Sequence, residues 1–172
     1  MPNDPNLVLT GFMGTGKSAV GRVLAGRMGR ELLDMDAEIE CREGCRVSEL
    51  FARRGEAAFR RCEQALAQEL ARPSALVVAT GGGVVLDPRN VECLQRGGVL
   101  VCLLASLPTL LARLADEDSR PLLAGSDRGG RLQRLWQQRR PLYEALPLKV
   151  HTDDCTPAEV AERVLALYRR HA

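Results

Sequence analysis

The chain has 172 residues, 45% hydrophobic and 27% charged, with a formal net charge of +2. That length predicts one domain whose core needs no disulfide or metal staple, and the near balance of charge argues against a nucleic-acid partner. No apolar run approaches the roughly 20 residues of a membrane span, so no membrane partner is expected.

Leu7 to Thr10 is a short apolar run ending at a glycine and predicts a buried strand. From Gly16 to Met28, Val20, Val23, Leu24 and Met28 recur at helical spacing, with Gly29 as the stop. Glu31 to Asp34 predicts a second strand, leaving Asp34 and Asp36 at its C-terminal end. Asp36 to Arg54 reads as one or two short helices with a turn at Gly44, and Glu56 to Ala71 as a helix with Phe59, Cys62, Leu66 and Leu70 along one stripe. Leu76 to Ala79 predicts a third strand, followed by Thr80-Gly81-Gly82-Gly83. Asp87-Pro88 supplies an N-cap and a first-position proline for a helix that stops at Gly97-Gly98. Val99 to Leu104 is a continuous apolar strand, and Ser106-Leu107-Pro108 opens a helix carrying Leu110, Leu111 and Leu114.

Ala115 to Gly130 loses all periodicity and predicts a lid loop. Leu132 to Tyr143 is helical again, disturbed near Pro141; Leu148 to Val150 predicts the last strand; Thr156-Pro157-Ala158-Glu159 is a capping box that starts the terminal helix. Five short strands alternating with helices predict an α/β fold, a parallel sheet covered on both faces. Ligands bind such sheets at the C-terminal strand ends, so the residues after the first three strands should converge on one cleft.

Lys17 and Lys149 are the only lysines; every other cationic side chain apart from two histidines is an arginine, a bias that codon usage in a GC-rich genome produces. One of the two lysines lies in Gly11-Phe12-Met13-Gly14-Thr15-Gly16-Lys17-Ser18, which matches GxxxxGK[ST] in full, after a strand and before a helix. In this P-loop the glycines let successive N–H groups face a phosphate, the helix N-terminus adds positive partial charge, Lys17 reaches the β- and γ-phosphates, and the Ser18 hydroxyl suits Mg²⁺. The chain has no [NT]KxD guanine motif and is short for a large ATPase machine, which leaves a small ATP-dependent kinase.

Asp34 and Asp36 are two apart, so in extended backbone both face one side. One could hold a Mg²⁺ water and the other orient or deprotonate an acceptor hydroxyl; the competing role is a helix N-cap, open to Asp36. Arg60 follows Phe59 at a pocket rim, Arg120 precedes Pro121 in the lid loop, and Arg139 lies in the Leu132–Tyr143 helix, just before Pro141. A lid arginine would neutralise charge on transferring phosphate, and two pocket arginines would suit a carboxylate. The Gly81-Gly82-Gly83 run marks a close backbone approach.

Cys41, Cys45, Cys62, Cys93, Cys102 and Cys155 are dispersed, with no CxxC pair and no signal peptide, so a cytoplasmic location is expected. Cys41 and Cys45 are four apart, but with only His151 and His171 elsewhere no zinc site is expected. Nothing in the apolar pattern demands a dimer, and a monomer is expected.

The ordered set GFMGTGKS, DMDAEIE, ELFARRGEAAFRRCE, GGGVV, RPLL and RRPLY resembles the shikimate kinases over nearly the whole chain. The resemblance implies a P-loop fold like the nucleoside monophosphate kinases, with a five-stranded parallel sheet and a lid about 115–130, in one domain whose helical segment about 35–64 binds substrate. It implies phosphorylation of the shikimate 3-hydroxyl by ATP, a step toward chorismate and the aromatic amino acids. By motif, Gly14, Thr15, Gly16, Lys17, Ser18 and Ala19 would hold the ATP phosphates, with Ser18 and Asp34 at Mg²⁺. Asp36 would be the base on the acceptor. Arg60 and Arg139, rather than Arg140, would hold the shikimate carboxylate, and Gly82 would contact substrate through its backbone. Phe51, Phe59 and Glu63 would form the pocket wall and support Arg60. Arg120 would be the lid arginine, and Arg113 would stack on adenine with Pro157 on the other face. The chain departs from the family at Ala19, where Thr is often found, and at 153–156, where some relatives carry an arginine near adenine.

Overall fold

The computed structural model describes residues 4–115 and 127–172. Among these, five strands form one parallel sheet in the order β2-β3-β1-β4-β5. In chain order the elements are β1 (Asn6–Gly11), α1 (Lys17–Met28), β2 (Leu32–Asp34), α2 (Met35–Glu43), α3 (Val47–Glu69), β3 (Val77–Ala79), a 3-10 turn at Val84–Leu86, α4 (Pro88–Gly97), β4 (Gly98–Leu104), α5 (Leu107–Arg113), α6 (Arg128–Glu144), β5 (Lys149–His151) and α7 (Pro157–His171).

The sheet is buried on both faces because its strands alternate between two apolar clusters. Leu7, Leu9, Val77, Val99, Val101 and Leu103 pack against Val20 and Leu24 of α1 and Val160 and Val164 of α7. Val8, Val78, Leu100 and Cys102 pack on the opposite side with Leu66 of α3, Leu94 of α4 and Leu132 and Tyr143 of α6. Full burial of each such aliphatic side chain is worth about 1.5–3 kcal/mol. The register sets Leu9 beside Ala79 and Val101, so the C-terminal ends of β1, β3 and β4 reach the same edge.

Local chemistry fixes where helices begin. Asp87 caps α4 by accepting from Arg89 N–H, Ser106 caps α5, and Thr156 with Glu159 forms a reciprocal capping box on α7. Of the one or two helices expected over Asp36 to Arg54, the structure has two, α2 and the first part of α3, separated at Gly44 as expected. α3 then runs on to Glu69 across a break at Gly55, whose φ of 76° and ψ of 170° belong to a region that essentially only glycine occupies. α6 begins at Arg128, inside the expected lid segment, because the Asp127 carboxylate accepts from Gly130 N–H and caps it. It continues through Pro141 to Glu144. The 3-10 turn after the glycine triplet is not anticipated by any local pattern.

Candidate active site

The phosphate loop connects β1 to α1. Its turn is closed by Thr15, whose N–H and hydroxyl both donate to the Phe12 carbonyl, at 3.4 and 2.8 Å. Gly16 sits at the helix N-cap with φ of 94°, a left-handed conformation that costs a residue with a Cβ about 1 kcal/mol or more. Glycine offers no side chain to cap α1, so the N–H groups of its first turn are left for a ligand, the arrangement that makes a helix N-terminus an anion site. The Lys17 ammonium donates to the Gly11 and Phe12 carbonyls at 2.9 Å each, which folds it over the loop. Ala19 follows in the first turn of α1, half-buried.

β2 ends at Asp34, whose two carboxylate oxygens are divided between tasks. Oδ1 accepts from the N–H groups of Asp36 and Ala37 and caps α2, while Oδ2 accepts from the Ser18 hydroxyl at 2.9 Å. The N-cap role that the sequence left open to Asp36 therefore belongs to Asp34. Asp36 sits in the first turn of α2 and lines a cleft with Met13, Val47, Phe51, Phe59, Arg60, Glu63, Gly81, Gly82, Gly83 and Arg139.

Within that cleft Phe51 and Phe59 pack with ring centroids 5.1 Å apart, forming an apolar wall. The Arg60 guanidinium lies 5.3 Å from the Phe59 centroid and pairs with two carboxylates, Nη1 with Glu63 at 2.5 Å and Nη2 with Glu56 at 2.8 Å. Burial works against its charge, but Glu63 and Glu56 outweigh burial and raise its affinity for the proton. Glu63 is fully buried. Burial pushes its carboxyl above the ordinary range, with Arg60 and Arg139 opposing and the Asp36 charge adding to the rise.

Arg139 is buried at 6% exposure and lines the cleft, whereas Arg140 is on the surface, paired with Glu144 and lying over the Trp136 ring. One helical turn beyond Arg139, Tyr143 donates its hydroxyl proton to the Gly82 carbonyl and packs edge-on against Phe12 of the phosphate loop, centroids 6.2 Å apart. Burial drives the Tyr143 phenol well above its ordinary value. A Cβ on Gly82 would lie 3.4 Å from the Met13 nitrogen and 3.7 Å from the Gly11 carbonyl oxygen. The cleft and the phosphate loop therefore share a wall.

Arg113, at the end of α5, donates from Nη1 to the Gly14 carbonyl and the Thr152 hydroxyl and from Nη2 to the Thr152 carbonyl. It borders an open groove with Thr109, Ala112, Asp154, Cys155 and Thr156, next to Pro157 at the start of α7. Arg120 and most of the expected lid lie outside the described residues. The structure thus brings Asp36, Arg60, Gly82 and Arg139 to one cleft and places Lys17 on the phosphate loop that borders it, with Ser18 bonded to Asp34 and Arg113 bonded to the Gly14 carbonyl. Sequence reasoning passed over Met13 and Val47 in the cleft wall and gave no role to Tyr143. Its i+4 spacing from Arg139 puts both on one face of α6 and was the available signal; Met13 and Val47 carried none.

Comparison with known proteins identifies the family. The sequence model of the shikimate kinase family matches residues 13–169. The chain is 41% identical over 165 residues to a shikimate kinase of Thermodesulfovibrio yellowstonii, covering 96% of this chain and 95% of that one. It is 42% identical over 166 residues to a shikimate kinase of Pelotomaculum thermopropionicum, covering 96% of each. The structure superposes with a TM-score of 0.90 on the shikimate kinase from Acinetobacter baumannii in complex with shikimate, at 36% identity over 98% of this chain and 95% of that one.

Proposed function

The chain belongs to the shikimate kinase family, and from that premise we propose how its residues carry out the family's reaction, transfer of the γ-phosphoryl group of ATP to the 3-hydroxyl of shikimate. The enzyme is an ATP-dependent phosphotransferase of the pathway to chorismate. The observation that carries the residue assignments is the wall shared by the phosphate loop and a cleft holding two arginines and two carboxylates, Asp36 and Glu63.

On the donor side, residues Gly14 to Ala19 present backbone N–H groups to the ATP phosphates, and Lys17 supplies a mobile positive charge at the β- and γ-phosphates. Ser18 and Asp34 are the residues that would hold Mg²⁺. A hydroxyl and a carboxylate 2.9 Å apart are hard oxygen donors that fit this cation. Mg²⁺ takes few protein ligands and completes its shell with phosphate and water. When bound, Mg²⁺ neutralises charge on the phosphates. Arg113 and Pro157 flank the groove assigned to adenine, and Arg120 is assigned to the phosphates from the RPLL motif.

On the acceptor side, Arg60 and Arg139 hold the shikimate carboxylate, whose two oxygens match guanidinium forks. The Gly82 backbone approaches the ring, and Phe51 and Phe59 cover its apolar face. Asp36 orients the 3-hydroxyl and accepts its proton as the oxygen attacks phosphorus. Because phosphoryl transfer needs little covalent help, the rate comes from in-line placement and charge compensation. All six cysteines are free thiols, which supports the further reading of a cytoplasmic enzyme, and we take it to act as a monomer.

A coupled ADP-release assay with MgATP and a panel of shikimate, gluconate and nucleoside monophosphates tests the substrate. Turnover with shikimate alone is expected. Equal turnover with gluconate, or ATP binding without acceptor-dependent ADP, would overturn the reading.

A further inference from the structure

We propose that Gly83 is a positioning residue for acceptor recognition: its missing side chain is the seat of the Arg60 guanidinium. This rests on the assignment of Arg60 to the shikimate carboxylate.

Glycine at 83 is not required by backbone conformation. Its φ of −97° and ψ of 0° are accessible to any L-residue. The requirement is space. A Cβ built on Gly83 would lie 2.3 Å from Arg60 Nη1, 2.6 Å from Nη2 and 2.7 Å from Cζ. With Nη1 and Nη2 both nearer than Cζ, it is the Nη edge of the guanidinium that abuts the glycine. The same group is fixed from its other sides by Glu63, Glu56 and the Phe59 ring, so it cannot slide a few tenths of an ångström within its place. A methyl group at 83 must lift it out.

What the added carbon meets separates this glycine from its neighbours. At Gly97 it would lie 1.8 Å from the Leu70 carbonyl oxygen, where main chain must move. At Gly82 it would make contacts no closer than 3.4 Å. At Gly83 the three nearest atoms all belong to the far end of one long side chain that is 23% exposed and has a route to solvent. Gly83→Ala therefore leaves the backbone in place and removes the cation from the cleft. Its cost falls on holding a carboxylate rather than on folding or on ATP.

The test is steady-state kinetics and thermal melting of wild type, Gly83→Ala, Arg60→Ala and the double variant. Losing a charge-assisted contact predicts a shikimate KM about 10- to 100-fold higher in Gly83→Ala, with the ATP KM within about twofold and kcat falling less than kcat/KM. In the Arg60→Ala background, where the space is vacant, the second substitution is expected to add nothing, an interaction as large as the single effect. Equal damage to both KM values, an undiminished effect in the Arg60→Ala background, or an unchanged shikimate KM would each overturn the inference. If Gly83→Ala does not fold, rescue of folding by Arg60→Ala supports it and failure of rescue overturns it. Wild type without shikimate-dependent ADP release would sink the functional reading, and this inference with it; wild type active and Gly83→Ala indistinguishable would sink this inference alone.

Discussion

The Ser18 hydroxyl donates to Asp34 Oδ2 at 2.9 Å, tying the first turn of α1 to the end of β2. Asp34 meanwhile uses Oδ1 to cap α2, so one carboxylate joins the helix that follows the phosphate loop to the start of α2.

That division predicts different outcomes for the two partners. Asp34→Ala removes a cap worth about 0.5–2 kcal/mol and the proposed Mg²⁺ ligand, so melting temperature and kcat fall together. Ser18→Ala removes only the hydroxyl: kcat falls and the Mg²⁺ concentration needed for half-maximal rate rises, while the melting curve stays near wild type. Parallel thermal melts and Mg²⁺ titrations of the coupled assay check this; an unshifted melt for Asp34→Ala would contradict the capping role.

Asp36 is the cleft carboxylate proposed to act on the acceptor hydroxyl. A Cβ on Gly81 would sit 2.7 Å from its Oδ1 and 2.8 Å from Glu63 Oε1, so the two acids flank the glycine turn. Asp36→Asn keeps the shape and removes the proton acceptor, and a kcat loss of about 10²- to 10⁴-fold with the fold intact is expected. Circular dichroism and single-turnover kinetics decide it; turnover within a few-fold of wild type would end the base assignment.

These relationships were unequally legible in the sequence. The phosphate loop, the capping box at Thr156 and the N-caps at Asp87 and Ser106 are local patterns, and each appears as hydrogen bonds in the fold. The order β2-β3-β1-β4-β5 is not local, because an apolar run states that a strand is buried but not which strand lies beside it. The start of α6 was misplaced because Gly129 and Gly130 read as helix breakers, whereas the Asp127 cap outweighs their low propensity. The contact between Tyr143 and Gly82 spans 61 positions and could not be read from spacing.

That contact predicts a specific defect. Tyr143→Phe keeps the ring on Phe12 but leaves the Gly82 carbonyl without its donor, and an unsatisfied buried group costs about 1–3 kcal/mol. The glycine turn should loosen, raising the shikimate KM by several-fold more than the ATP KM and lowering the melting temperature. Measured KM values that rise in parallel would place the Tyr143 effect on the phosphate loop instead.

The pH dependence of stability should carry a mark of Asp153. Its Oδ1 accepts from Ser106 N–H at 2.9 Å and from the Thr109 hydroxyl at 2.7 Å, holding the start of α5 against the turn after β5. Burial alone would raise its carboxyl, but the hydrogen bonds from Thr109 and Ser106 prevail and bring it from the ordinary 3.8 to about 2. With the folded value below the unfolded one, the unfolded chain binds the proton first as pH falls. The stabilisation is therefore complete above 3.8 and is lost as pH drops from there through about 2. Asp153→Ala should lower the urea midpoint at pH 7, and the gap to wild type should hold down to about pH 4 and narrow from there toward pH 2. A gap that stays constant over that range would mean that Asp153 acts through contacts indifferent to its charge.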